Sequence, residues 1–310
     1  MTRALGASAG YLADLLLGDP RGGHPVAGFG AAAAAAERIT YRDSRIAGAL
    51  HAGVLVGAAG LLGVALQRQA DVRGRSWSVA ATATATWVSL GGTSLARAGL
   101  AMAGLLERED LEGARRLLPT LCGRDPTPLD AGGLARAAVE SVAENTSDAL
   151  VAPLLWAAVS GAPAVLAYRA VNTLDAMIGQ RSPRYTRFGW AAARLDDAAN
   201  YVAARLTAAL VVACAPVVGG SPAGALRVWR RDAARHPSPN AGVVESAFAG
   251  ALGVRLGGPT QYRYQLQLRP TLGDGPPPSV PDLRRAVRLS RVVQAGAAVL
   301  ILSAAGRSDR

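Results

Sequence analysis

The chain has 310 residues, half of them apolar, and a formal net charge of +11 from 33 basic against 22 acidic side chains. None of the basic residues is lysine, which excludes a Schiff base, a lysine nucleophile and a Walker-type phosphate loop, so any phosphate must meet arginine or backbone N–H groups. The arginines are spread through the polar stretches between apolar runs, with no aromatic-interleaved basic surface; this argues against nucleic acid and for a positive bias beside membrane segments.

Aromatic residues make up only 5% while Ala and Gly dominate, a mix suited to helices packed closely through small residues in a membrane. The opening run, about 4–17, holds Asp14 and is closed by Gly18-Asp19-Pro20. It is too short to span comfortably unless it tilts or lies in the interface, and it lacks the pattern of a cleavable signal peptide. The run 46–66 meets the requirement of about 20 apolar residues for roughly 30 Å of hydrocarbon, with His51 near one end. The run 79–106 is longer and carries Thr82, Thr84, Thr86, Ser89 and Arg97, which predicts a tilted span or one continuing into a surface helix. In 149–170 the sequence Ser160-Gly161-Ala162-Pro163 interrupts the helix or makes a hairpin of two half-helices; the run either crosses or re-enters, and re-entry is what lets the polar stretches on its two sides share one active site. The runs 201–218 and 289–305 are the last two apolar candidates. Between them Gly273, Gly275 and Pro276-Pro277-Pro278 make 269–281 an exposed, poorly ordered loop. Cys122 and Cys214 lie far apart in sequence and suggest neither a disulfide nor a zinc site.

The expected fold is therefore all-α: a multi-pass integral membrane bundle with amphipathic and re-entrant helices. It forms one membrane-embedded domain over residues 1–310, with polar loops building the active site at one membrane face.

Candidate chemistry falls in the polar stretches. Glu140, Glu144 and Asp148 recur at i, i+4 and i+8, which on a continuous helix stacks three like charges along one face. Beside an apolar segment that arrangement calls for bound cations, and Mg²⁺ with phosphates completing its shell is the natural occupant. Asn172 and Asp175 share one side of a turn, Arg181 and Arg184 follow in a basic loop, and Arg194, Asp196, Asp197 and Asn200 come next. Together they supply the groups that clamp an anionic substrate with its metal. His236-Pro237-Ser238-Pro239-Asn240 is a rigid loop opening a small-residue helix that bears Glu245, and the free N–H groups there form an anion site unless Ser238 or Asn240 caps them. His24-Pro25 resembles a second such loop.

The ordered set of these motifs resembles the adenosylcobinamide-phosphate synthase family of cobalamin biosynthesis, often called CobD or CbiB. The resemblance covers roughly residues 10 to 260. It rests on Gly18-Asp19-Pro20 with His24-Pro25-Val26, Glu140 to Asp148 with Ala152-Pro153-Leu154, Tyr168 to Asp175, Phe188-Gly189-Trp190, Ala193 to Asp197, His236 to Gly242 and Leu256-Gly257-Gly258-Pro259. Ala27, Ala176, Ala203 and Val243-Val244 depart from the residues common in the family, without removing a carboxylate or amide. Residues 260 to 310 carry little family signal.

The resemblance implies a multi-pass enzyme of the cell (inner) membrane. With ATP it would join a carboxylate of adenosylcobyric acid to (R)-1-aminopropan-2-ol O-phosphate, giving adenosylcobinamide phosphate. On that reading Glu140, Glu144, Asp148 and Asp175 hold Mg²⁺, and Arg181, Arg184 and Arg194 hold phosphate. Asp196, Asp197 or Glu144 handles the proton, while Asn172, His236, Asn240 and His24 position substrate. Its partners are the corrinoid, the aminopropanol phosphate and membrane lipid, with room for a homo-oligomer or for contact with other cobalamin enzymes. Two rivals are a transporter of anionic solutes, which needs acids inside the spans, and a non-catalytic scaffold for cobalamin enzymes, which leaves the density of acids and amides without a purpose.

Overall fold

A computed structural model of the chain describes residues 2–20, 22–180, 182–262 and 265–308. In chain order the first helices are α1 (Thr2–Leu17), α2 (Pro25–Thr40), α3 (Arg45–Arg73), α4 (Arg75–Ser89), α5 (Gly92–Glu107), α6 (Leu111–Leu117) and α7 (Ala131–Thr146). They are followed by α8 (Ala152–Ser160), α9 (Ala162–Leu174), α10 (Tyr185–Phe188), α11 (Trp190–Ala199), α12 (Tyr201–Cys214), α13 (Pro222–Asp232) and α14 (Ala241–Leu252). An antiparallel hairpin, β1 (Leu256–Gln261) with β2 (Leu266–Leu272), precedes the final helix α15 (Val280–Ser308).

These elements form two compact units: residues up to Gly91 with Asp148–Asn200 and the end of α15 from Ala298, and Gly92–Ser147 with Tyr201–Ala297. In the first unit α1 packs on α4, and α3 on α9. Ala7, Ala85, Ala157, Ala162 and Val165 form one buried cluster there, and Leu174, Ile178 and Phe188 anchor another. In the second unit α14 is enclosed by α12 and α13, and every one of its residues is buried. The backbones of α13 and α14 meet at Gly224 and Gly250, where a Cβ on either would collide with the other chain segment. Close approach through small residues is what an Ala/Gly-rich composition permits.

Among the described residues, three helical stretches are long and apolar enough to cross a membrane: Arg45–Arg73, Tyr201–Val218 and Val280–Gly306. The first is the clearest. Ile46, Leu50, Val54, Leu61, Leu62 and Leu66 are all exposed on α3, with Val54 and Leu61 near 70% accessible (68% and 69%). An apolar surface of this extent is stable only against lipid or another protein.

Several expectations need correction. The run 79–106 is not one helix: it breaks at Leu90-Gly91, where Leu90 is extended and Gly91 N–H donates to Ala149 O at 2.9 Å. The all-α class omits the hairpin, whose second strand takes in residues 269–272 of the expected loop 269–281, while residues 273–279 lie outside regular structure. The last helix begins at Val280 rather than near 289, because Ser279 and Asp282 cap it: Ser279 N–H donates to Asp282 Oδ2 at 3.0 Å. The break inside 149–170 is present. Gly161 closes α8 and opens α9 at φ 67°, ψ −147°, a conformation nearly reserved for glycine, and Arg3 Nη1 donates to the Val159 carbonyl at 2.7 Å.

Gly161→Ala is expected to lower the melting temperature in detergent by the equivalent of about 1–3 kcal/mol, since the neighbouring space is adequate and only the backbone is strained. Gly60→Ala on α3, where an added methyl meets only Ala167 Cβ at 3.7 Å, is expected to leave it unchanged. A melt series of the two variants checks both.

Candidate active site

In the second unit, Asp130 caps α7 by accepting from Gly133 N–H at 2.7 Å, and an alanine-rich sequence carries the helix through the core. Midway along it Glu140 is 1% exposed. Arg124 donates to Glu140 Oε2, Gly257 N–H donates to Oε1 at 2.7 Å, and Arg136 Nε lies 4.0 Å from Oε1. Gly257 sits at an irregularity in the hairpin register between Leu256 and Gly258. Such a bulge re-aims backbone groups, and here it turns an N–H onto the carboxylate. Arg136 holds the same turn through the Gly257 and Pro259 carbonyls.

Around this pair stand further charges. Glu245 on α14 is 1% exposed, neither of its oxygens has a hydrogen bond, and Arg269 Nη1 lies 3.8 Å from its Oε1. Burial, with Glu140 and Glu144 close by, holds its carboxyl well above the usual range. Arg269 comes from β2 and donates to the Tyr262 hydroxyl at 2.7 Å. His236 packs against Gly242, one helical turn before Glu245. Ser238 N–H donates to His236 Nδ1 at 3.1 Å, so in the neutral ring the proton sits on Nε2, which is buried and has no hydrogen-bond partner. Burial and the Arg269 charge bring the His236 pKa down to about 4.

The first unit carries a second polar network. Both α7 and α9 run into π-helical turns, Ser147–Val151 and Asp175–Gly179, a geometry concentrated at functional sites. Asp148 lies in the first turn and Asp175 opens the second. A Cβ at Gly179 would overlap Asp175 Oδ1, so glycine is needed for the carboxylate to lie where it does. The Tyr168 hydroxyl is 2.8 Å from both the Asp148 carbonyl and Asn200 Oδ1. Arg169 Nη1 donates to Asn172 Oδ1 at 3.2 Å, and Asn172 Nδ2 donates to Asp196 Oδ1 at 3.3 Å.

The model of the CobD/Cbib protein family matches residues 7–290. The chain belongs to this family. A relative named cobalamin biosynthesis protein CobD in Mycobacterium tuberculosis (strain ATCC 25618 / H37Rv) is 74% identical over 299 residues, covering 96% of this chain and 95% of the relative. Proteins of the same name in Geobacter metallireducens and Rhodobacter capsulatus are 43% and 42% identical, covering 85% and 93% of this chain and 84% and 93% of theirs. No solved structure matches significantly.

The family match reaches beyond residue 260 and takes in Tyr262, Arg269 and the hairpin. Arg124, Arg269 and Tyr262 escape sequence reading because a strand and two loops bring them to α7, where Arg136 already stands one turn before Glu140. Glu245 had a signal: one acid in an otherwise apolar helix. Other assignments change. Glu140 is taken up by Arg124 and Gly257 and does not fit a metal ligand. The i, i+4, i+8 row stops at Glu144, because the π-turn widens the winding before Asp148. Glu140 and Glu144 belong to one unit, Asp148 and Asp175 to the other, and among the described residues no three His, Cys, Asp or Glu side chains group to hold a metal ion.

Arg194 Nη1 pairs with Asp197 Oδ2 at 2.9 Å on the exposed face of α11. Arg184 Nη2 pairs with Glu37 Oε1 at 2.9 Å and stacks over Tyr41. Arg181 lies outside the described residues. His24 serves as the N-cap of α2, its Nδ1 accepting from Val26 N–H at 3.2 Å. The anion site proposed at the start of α14 is capped: Ser238 Oγ accepts from Asn240 N–H at 3.3 Å and Ala241 N–H at 3.2 Å, while Asn240 Oδ1 accepts from Arg205 at 3.0 Å.

The depressed pKa of His236 has a definite sign. The unfolded chain binds its proton first, near pH 6.5, so the stability that the neutral ring confers is complete above that pH and falls as pH drops towards about 4. The loss is expected to reach up to about 3 kcal/mol. Melting temperatures measured from pH 7.5 to 5 are expected to fall more steeply in the parent protein than in His236→Asn.

Proposed function

We propose that the chain is a membrane ligase of cobalamin assembly that uses ATP to join adenosylcobyric acid to (R)-1-aminopropan-2-ol O-phosphate, giving adenosylcobinamide phosphate. Membership of the CobD/Cbib family and relatives named as cobalamin biosynthesis proteins support the pathway. The observation that carries the reaction is the charge packed into the second unit: buried Glu140 and Glu245, with half-buried Glu144 beside them, against Arg124, Arg136 and Arg269, Glu245 lacking any hydrogen bond. A scaffold has no use for such a cluster, because each buried ion costs several kcal/mol unless a partner compensates it.

An amide forms from a carboxylate only after activation. A carboxylate oxygen of the corrinoid attacks the γ-phosphorus of ATP, the bond to ADP breaks, and an acyl phosphate results. The amine nitrogen then attacks the carbonyl carbon, phosphate leaves with the bonding electron pair, and a proton leaves the nitrogen. Both steps move negative charge between oxygens, which arginines and fixed hydrogen-bond donors stabilise. Magnesium enters with ATP as part of the nucleotide substrate. In the first unit Asp148, Asp175, Asn172 and Arg169 suit that complex. Arg169 is a better phosphate ligand than Arg184 or Arg194, since those are engaged by Glu37 and Asp197, whereas its buried Nε has no hydrogen bond. Asp196 orients Asn172. In the second unit Glu144 and the surrounding arginines suit the charged amine substrate.

On this reading the protein is a multi-pass protein of the cell (inner) membrane, with α8 and α9 as a re-entrant pair. At about 1.5 Å per residue, helices of 9 and 13 residues stop well short of the roughly 30 Å of hydrocarbon.

Detergent-purified protein incubated with ATP, Mg²⁺, adenosylcobyric acid and the aminopropanol phosphate is expected to yield adenosylcobinamide phosphate by mass spectrometry. A folded sample that makes none overturns the ligase. Glu144→Gln and Asp148→Asn are each expected to slow turnover by about 100-fold or more at an unchanged melting temperature; full activity in both removes these acids from the mechanism.

A further inference from the structure

Three acids are buried in the second unit, and two of them are satisfied. Asp232 accepts from Arg231 Nε and Nη2, each at 2.7 Å, and from Gly273 N–H at 2.9 Å. Glu140 accepts from Arg124 and Gly257 N–H. Structural carboxylates in this unit are therefore given hydrogen bonds, as burial demands. Glu245 is as deeply buried and has none. The 3.8 Å separation from Arg269 brings the charges together without a hydrogen bond, which is a poor geometry for a structural ion pair.

The groups nearby are incomplete in the complementary sense. Arg269 Nε and His236 Nε2 are buried donors without acceptors. An unpaired acceptor thus stands beside a set of unpaired donors. Exposure rises from 1% at the Glu245 side chain to 19% at Arg269, so Arg269 marks the approach. What such a site fits is a short zwitterion: a primary ammonium whose N–H groups Glu245 accepts, linked by a few atoms to a phosphate monoester whose oxygens take the orphaned donors.

We infer that Glu245 and Arg269, with His236 Nε2, form the recognition site for the amine substrate, Glu245 holding its ammonium and Arg269 its phosphate. The identity of the ligand rests on the ligase reading above; the charge pattern does not. Glu245→Gln is expected to leave the fold intact, because neither carboxylate oxygen has a hydrogen bond to lose.

Isothermal titration of the full-length protein with (R)-1-aminopropan-2-ol O-phosphate, without ATP or corrinoid, tests binding apart from chemistry. The parent protein is expected to bind it at least tenfold tighter than propan-2-yl phosphate, which lacks the ammonium. Glu245→Gln is expected to abolish that preference while binding propan-2-yl phosphate as the parent does, and to melt no lower. Arg269→Gln is expected to weaken both ligands at least tenfold, and the parent is expected to favour the phosphorylated amine over 1-aminopropan-2-ol. A Glu245→Gln protein that keeps the parent's preference overturns the inference, and so does a parent protein that binds none of the three. Should zwitterion binding follow this pattern while no amide product forms, the ligase reading fails and the recognition site stands.

Discussion

Glu140 lies within α7, 1% exposed, where an unpaired carboxylate would cost several kcal/mol. It survives there because segments far apart in sequence each supply a donor, Arg124 from the stretch before α7 and Gly257 from the bulge in the hairpin, while the Arg136 charge stands 4.0 Å away, one turn earlier on the same helix. The dependence runs both ways. The bulge has its N–H satisfied only with Glu140 beneath it, and Arg136 then clasps the Gly257 and Pro259 carbonyls from outside. With β1 held in that position, β2 presents Arg269 towards Glu245, and the unsatisfied part of the cluster takes its shape from the satisfied part.

Much of the helical architecture was legible in the chain because its causes are local. Ile46 to Leu66 reads as a span from length and composition, and Gly161 before Ala162-Pro163 reads as a break because only glycine tolerates the required dihedrals. The structure departs from the sequence reading where causes are not local. Nothing in Leu266–Leu272 announces a strand apart from its pairing with Leu256–Gln261, which a Gly-Gly-Pro sequence obscures. Residues 79–106 look continuous to any hydropathy window, yet Gly91 N–H is held by Ala149 and the helix stops. The acid row Glu140, Glu144, Asp148 assumed one helical period to its end, and a π-turn changes the period at Ser147.

The same distinction explains the site. Residue types alone pointed to Glu140 and Asp196 but not to their tasks. Glu140 looks like a ligand in sequence and acts as an anchor in space; Asp197 and Arg194, both plausible alone, neutralise each other three residues apart. Arginine serves throughout because the chain has no lysine, and guanidinium suits buried sites: it is planar, permanently charged and can divide its N–H groups among several acceptors. Arg136 does this with the Gly257 and Pro259 carbonyls while its charge faces Glu140, which an ammonium on a flexible stem would meet less well.

The tension within α14 separates structure from function most clearly. Its residues are buried along its whole length, and every small side chain there serves close packing: Gly250 lets the α13 backbone in, Gly242 receives His236. Stability alone would place an apolar residue of similar size at 245, because burying an acid without a hydrogen bond is unfavourable in either protonation state. A neighbour such as Asp232 shows that the same unit satisfies buried acids fully where they are structural. The residue at 245 therefore works against the stability of its own helix. Proteins carry that kind of local inconsistency where a bound molecule resolves it, and in the proposed reaction the molecule that does so is one that arrives with a positive charge.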